Sequence, residues 1–390
     1  MSRPPSCTAG NPVTTTPPYG EDMYTAGDLV GTARGRRLCY ELAQRSTNGD
    51  EVSGAMFYEA RLVHEERRDL SHGTVAYLAA LKADRSAPGR PSAPALRDVL
   101  AGVDPAMTVR ASDLLAALSD TVASAMYWQP LHAEDAVLAH PSVRAALLQI
   151  ADVVLGEPRA GWWSTPLDRD TQMHTQFEPA AVADPPRGTA AERLHRWRDA
   201  IVDQERTAAR YRARHPSTPM GGTWWVTPAL AGLDMTTRAL AGAGSASLWL
   251  TEDDMSWKSA DLVPCTVDPA ARVLEIDGPD AWASLVATYP LDVTASRAPD
   301  WFGAVDARDG DWLIPDWSAV ATDYDGVHVS VLGWLMTSGQ VIPLGSGTTT
   351  TLAGWDPDAT WWLADRLRHA DTGRRWVRED QSWLPADPAR

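Results

Sequence analysis

Phenylalanine and lysine are nearly missing from this chain. There are three phenylalanines, and the only lysines are Lys82 and Lys258. Neither lysine sits in an apolar helix that would depress its pKa, so Schiff-base chemistry has almost no foothold. Cysteine is scarce as well: Cys7, Cys39 and Cys265 are far apart, odd in number and without a CxxC spacing. That argues against a disulfide framework or a structural zinc site. No apolar run approaches the roughly 20 residues of a bilayer span. Phosphate-binding GxGxxG and GxxxxGK[ST] loops are lacking, as is the GxSxG nucleophile elbow.

Acidic residues, by contrast, are in excess. The net charge is −16 over 390 residues, which repels polyanions unless a basic patch is segregated. The arginine-dense stretch 193–214 also holds Asp199, Asp203 and Glu205, a mixed-charge helix face that disfavours nucleic acid as a partner. The first 20 residues are rich in Pro, Thr and Ser and have no apolar segment. They read as a tail and not as a signal peptide, with a cytoplasmic location as the default.

Tryptophan is the compositional anomaly, with 18 residues. Two explanations stand: indoles fill core positions that phenylalanine would take elsewhere, or they wall a pocket for a flat or cationic ligand. Gly161-Trp162-Trp163-Ser164-Thr165-Pro166 echoes Thr223-Trp224-Trp225-Val226-Thr227-Pro228. Two such segments lining one cavity would place Trp162, Trp163, Trp224 and Trp225 on a substrate.

Hydrophobic periodicity predicts an α+β fold: an N-terminal all-helical domain, then a mixed, mostly antiparallel β-rich domain with short helices. The expected division is a tail over 1–22, a helical domain over 23–218 with a Trp/Pro-rich loop near 156–188, an α+β domain over 219–376 and a loose end over 377–390. Helices are predicted over 25–44, 52–82, 112–128, 141–155 and 189–215, with Ser112 as an N-cap. Pro141 marks a helix start. Strands are predicted over 223–227, 245–251, 260–267, 272–276, 327–332, 341–344, 348–352 and 361–364.

The chemistry-bearing stretch runs from Asp311 to His328. Asp316 is expected to cap the helix that starts at Trp317. Asp323, Asp325 and His328 sit where that helix gives way, through Gly326, to a strand. An imidazole beside a carboxylate at a strand mouth is a candidate general base near neutral pH. Thr237 and Arg238 precede a Gly-rich turn, where an arginine clamps an anion or simply faces solvent. Trp317 is counted among the substrate-facing indoles. Acidic clusters such as Glu252-Asp253-Asp254 read as solvated surface, and no tightly bound metal or cofactor is expected.

Residues from about Trp224 to Leu363 resemble a family of uncharacterised proteins of high-GC bacteria. The resemblance is carried by Arg272-Val273-Leu274-Glu275-Ile276-Asp277-Gly278-Pro279-Asp280, Tyr289-Pro290-Leu291-Asp292, Asp323-Tyr324-Asp325-Gly326-Val327-His328 and Ala353-Gly354-Trp355-Asp356-Pro357. More distantly, the order of elements is similar to ADP-ribosyltransferase-like domains. That likeness implies NAD as a substrate, Arg238 as the phosphate-facing cation with Thr237 beside it, and Asp325 or Asp356 as the late acid. No Gln/Glu-x-Glu follows a strand as that pattern requires. Three functions are therefore carried forward. One is an enzyme acting on a small molecule or nucleotide in a Trp-lined cleft, by group transfer or N-glycosidic bond cleavage. Another is a cofactor-free enzyme of secondary metabolism, and the last is a non-catalytic binding protein.

Overall fold

The computed structural model describes residues 24–72, 95–108, 110–178, 187–215, 221–305 and 310–386. The tail expected over 1–22, Lys82 and the stretch 87–94 fall outside them. The fold is α+β, with helices gathered in the N-terminal part and mixed, mostly antiparallel sheets in the C-terminal part.

Helix α1 (Ala26–Gly31) opens with a capping box between Thr25 and Asp28, which satisfies two otherwise orphaned backbone donors. Thr32 then caps a second helix, α2 (Ala33–Ala43), so the single helix expected over 25–44 is two. They are followed by α3 (Gly49–His72), α4 (Leu96–Ala101), α5 (Ala111–Ala123), α6 (Ala133–Leu138) and α7 (Pro141–Leu155). Pro141 occupies the first turn of α7, as expected. Ser112 is not a cap: α5 begins one residue earlier, behind Arg110, with no side-chain cap bond.

Next come strand β1 (Gln172–Glu178) and the long helix α8 (Ala190–Arg214). Strands β2 (Met235–Leu240), β3 (Gly244–Ser245), β4 (Ser259–Val267) and β5 (Val273–Ile276) lead to helix α9 (Pro279–Thr288). After β6 (Pro290–Asp292) come α10 (Thr294–Ala304), β7 (Asp311–Pro315), α11 (Trp317–Asp323), β8 (Gly326–Val329) and α12 (Val331–Thr337). The chain finishes with β9 (Ile342–Gly345), β10 (Thr348–Thr350), β11 (Thr360–Trp362), β12 (Leu367–His369), β13 (Arg374–Glu379) and β14 (Ser382–Pro385).

The principal sheet has the order β14-β13-β4-β1-β2-β11-β8-β5, with β12 on β4 and β3 on β2. Its pairings are antiparallel except β5 with β8. A smaller sheet runs β6-β7-β10-β9. β1 arises from the loop assigned to the helical part, yet it lies in mid-sheet between β2 and β4. One apolar core runs without interruption from Leu29 and Leu42 to Trp334 and Leu363.

Several expected strands take other forms. Residues 223–227 are irregular, and 246–248, within the run expected over 245–251, form a 3-10 helix. The run 327–332 is only half strand, because Ser330 turns the chain and caps α12 through the Gly333 amide. The end expected to be loose, 377–390, contributes most of the β13–β14 hairpin, whose register pairs Arg378 with Trp383.

Most of the tryptophans are core. Trp282, Trp301, Trp312, Trp317, Trp334, Trp355 and Trp362 are essentially without solvent contact. Six of these seven indole N–H groups find an acceptor, such as Val226 O for Trp317 at 2.8 Å and Glu252 Oε1 for Trp334 at 2.7 Å. Buried indoles usually find such an acceptor; Trp312 Nε1 has none.

Candidate functional site

The residues singled out from sequence divide into a buried ion network and a set of core side chains. The network starts from the sheet register. Glu275, His328, Thr360 and Thr236 are successive cross-strand neighbours on β5, β8, β11 and β2, so their side chains share one face. His328 Nδ1 lies 2.5 Å from Glu275 Oε2, and its Nε2 lies 3.5 Å from Asp358 Oδ1. The second contact is an ion pair beyond good hydrogen-bond geometry, and it leaves Nε2 without a close acceptor. Asp358 in turn accepts from Arg238 Nε at 2.6 Å and from the Arg238 amide at 3.0 Å. The guanidinium is completed by Thr165 Oγ1 at 3.0 Å and by the Trp162 ring, whose centre is 5.0 Å away.

Burial alone would push the His328 pKa down. Asp358 and Glu275 outweigh it and lift the value to about 9. Fully buried between two carboxylates, the imidazole favours its cationic form. Asp325 is not its partner. The two residues are an odd number of positions apart, which sends side chains to opposite faces of a strand. Asp325 takes the Arg272 amide at 2.8 Å, with Arg272 Nε and Arg366 Nε each at 3.3 Å. Burial opposes its ionisation, but the bonds from Arg272 and Arg366 win and hold its pKa below the usual carboxylate value. Asp323 is exposed and accepts from the Tyr289 hydroxyl at 2.6 Å. Asp316 caps α11 as expected, receiving the Ser318 amide at 3.1 Å.

Arg238 is buried at 7 % exposure, so neither the surface role nor a free anion clamp describes it. Thr237, its neighbour, faces the other side of β2 and bonds to Ser247. The acid beside Arg238 is Asp358, not Asp325 or Asp356. Trp317 packs in an indole cluster with Trp282 and Trp355 at 5.5 to 6.4 Å. The two Trp-Trp segments do not share a cavity. Trp162 covers Arg238, Trp163 is buried beside α12, and Trp224 and Trp225 pack against Gly354.

The cavity lies elsewhere, where α5 faces the outer strands of the principal sheet. It measures about 320 Å³. Ala116, Ser119, Asp120 and Ala123 of α5 line it, and that i, i+3, i+4, i+7 spacing is one helix face. The opposite wall is aromatic: Phe177, Trp249, Trp257 and Trp383. Trp257 stacks on Phe177 with ring centres 4.3 Å apart and planes 16° apart. Trp257 rides a loop in which Asp253 and Ser256 both adopt positive φ, 54° and 59°, a conformation unusual outside glycine.

Two ion pairs border the same space. Arg45 holds Asp120 on the helical side, and Arg378 holds Asp254 on the sheet side. Arg378 also lies 6.0 Å from the Trp383 ring centre. Behind the loop, Glu252 is fully enclosed and accepts from Trp334 Nε1, from the Gly354 amide at 2.6 Å and from Ser338 Oγ at 3.3 Å. Burial and the neighbouring Asp356 raise its pKa well above the ordinary glutamate value. Asp356, which accepts the Glu252 amide at 2.8 Å, is pushed up to about 7 by burial.

The sequence reading missed this site because its walls are far apart along the chain. The hairpin that supplies Arg378 and Trp383 falls mostly in 377–390, the stretch expected to be loose. Among the described residues, no group of three His, Cys, Asp or Glu is arranged to hold a metal ion, and no helix is long and apolar enough to cross a membrane. No family model, no curated protein and no solved structure matches this chain.

Proposed function

We propose that the protein binds a small aromatic molecule in the cavity between α5 and the β13–β14 hairpin. The observation that carries this reading is the concentration of Phe177, Trp249, Trp257 and Trp383 on one wall of an open space. The indoles of the Trp282, Trp317 and Trp355 cluster, by contrast, are packed against one another with no solvent contact. Aromatic walls with a few convergent polar groups are the usual form of a small-molecule site. At about 320 Å³ the space stands at the lower end of the roughly 300–1,000 Å³ of such sites. A single ring system with a short side chain suits it better than a dinucleotide. Group transfer from NAD would draw on Arg238 for phosphate, and that guanidinium already serves Asp358 and Thr165. The reading is therefore one of binding, with no tightly held cofactor.

The test is a thermal-shift screen of the full chain against one- and two-ring aromatic compounds, with nicotinamide and NAD included, beside Trp257→Ala. Stabilisation by single-ring-system compounds that Trp257→Ala loses supports the reading. Stabilisation by NAD alone, or by nothing in the set, overturns it.

A further inference from the structure

Resting on that binding reading, we infer that the occupant of the cavity is a zwitterion, an aromatic molecule carrying both an ammonium and a carboxylate. The inference comes from the four charged side chains on the cavity wall. Arg378 is joined to Asp254, and Arg45 to Asp120 and also to Glu41. These pairs are neither buried nor freely solvated: Arg45 and Arg378 keep about a fifth of their side-chain surface, with 22 % and 21 %, Asp254 keeps 30 %, and Asp120 keeps 53 %. They form the polar mouth of a site whose inner wall is aromatic.

A ligand entering this mouth changes the pairing in a way that depends on its own charge. A lone anion would compete for a guanidinium and strand the aspartate, leaving a partly desolvated carboxylate without its counter-charge. A lone cation would do the reverse to the arginine. At this partial exposure what a singly charged ligand forfeits is the modest attraction of the existing pair. A zwitterion avoids it, because its carboxylate meets the guanidinium while its ammonium meets the displaced carboxylate. The count of paired charges rises and none is orphaned. A neutral aromatic ring would fill the indole wall and leave the mouth untouched. The long-range field adds to this, since a chain with net charge −16 opposes the approach of a bare anion. Arg378 is the better placed of the two arginines, because it also flanks the Trp383 ring and so lies against an aromatic group held on the wall.

Isothermal titration of the full-length protein at pH 7 decides the matter with four probes on one ring: phenylalanine (zwitterion), phenethylamine (cation), 3-phenylpropionate (anion) and 2-phenylethanol (neutral). The expected result is that phenylalanine binds at least tenfold more tightly than each of the other three. In Arg378→Gln and in Asp254→Asn the advantage of phenylalanine over 2-phenylethanol, both measured on the same variant, should fall to less than threefold. Arg378→Lys, which keeps the charge, should retain most of the preference and guards against a variant that merely misfolds. Four probes of equal affinity, or a singly charged probe that binds best, overturn the zwitterion and leave the aromatic site standing. Should none of the four bind while another aromatic compound does, the zwitterion falls alone. If no aromatic compound binds at all, the cavity reading falls with it.

Discussion

Asp358 joins Arg238 through two separate donors, the guanidinium Nε at 2.6 Å and the main-chain amide at 3.0 Å. This bidentate hold pins the turn before β11 to the middle of β2, and the oxygen that takes the guanidinium, Oδ1, also faces the His328 imidazole at 3.5 Å. Removing Asp358 would leave the buried Arg238 without its counter-charge and His328 with Glu275 alone. Breaking one partner out of a buried pair costs about 3–5 kcal/mol. Asp358→Ala should therefore lower the unfolding free energy by about that much. Urea melts followed by circular dichroism measure it, and a loss under about 1 kcal/mol would show that the network is not load-sharing.

Stability should fall as pH rises from mildly acidic to mildly alkaline. Asp356, with its pKa raised to about 7, keeps its proton in the folded chain where the unfolded chain has lost it. That contribution is fully present below the ordinary aspartate pKa near 4 and is lost as pH rises through 7. Glu252 acts in the same direction. His328, raised to about 9, contributes fully below its ordinary value near 6.5 and loses the contribution on the way to 9. Asp325 works oppositely, through a lowered pKa whose benefit fades only in acid. Tm should thus be highest near pH 5 and decline toward pH 9. Asp356→Asn should flatten the decline between pH 4 and 7 and leave the part above 7 in place. An unchanged slope in that variant would count against the assignment.

What was legible in the sequence was local. The Asp316 cap and the Pro141 helix start rest on contacts within a few residues, and both are found where their chemistry requires. The run Val327 to Leu332 misled because Val-His-Val-Ser-Val alternates with the period of a strand. Only the Ser330 hydroxyl, accepting from Gly333, settles the chain into a helix. Helix α10 was hidden by Pro299 inside it, which reads as a breaker. The site was beyond reach for a different reason. Arg378 and Asp254 are 124 positions apart and Arg238 and Asp358 are 120 apart, so sheet pairing alone decides which acid meets which arginine. Asp325 and His328, neighbours in sequence, were sent to opposite faces by the same pairing.

Gly333 marks a place where α12 touches the end of β5 too closely for any side chain. A Cβ there would stand 2.2 Å from the Ile276 carbonyl oxygen and 3.0 Å from Asp277 Cα. Both obstacles are backbone, so the helix itself must shift, and such overpacking costs about 1–3 kcal/mol or more. The same helix carries Trp334, whose N–H serves Glu252. Gly333→Ala should lower the unfolding free energy by at least about 1 kcal/mol and change the near-ultraviolet tryptophan signal. A fully stable variant with an unaltered spectrum would mean that the helix tolerates displacement.

Two tryptophans distinguish a structural indole from a ligand-facing one. Trp355 has no solvent contact and packs with Trp282 and Trp317. Its replacement by alanine opens a void in the core, for which about 3–5 kcal/mol is the usual cost. Trp257 lines the cavity, partly buried against the cluster of Leu248 and Trp383, and its stack on Phe177 is an aromatic pair worth about 0.5–1.5 kcal/mol beyond burial. Trp355→Ala should therefore melt far below wild type, while Trp257→Ala should stay within a few degrees of it. Any aromatic ligand found by titration should then bind Trp257→Ala at least tenfold more weakly, in a protein that is otherwise intact. If Trp257→Ala were as destabilised as Trp355→Ala, the wall would be core packing, and the indole excess would have one explanation throughout the chain.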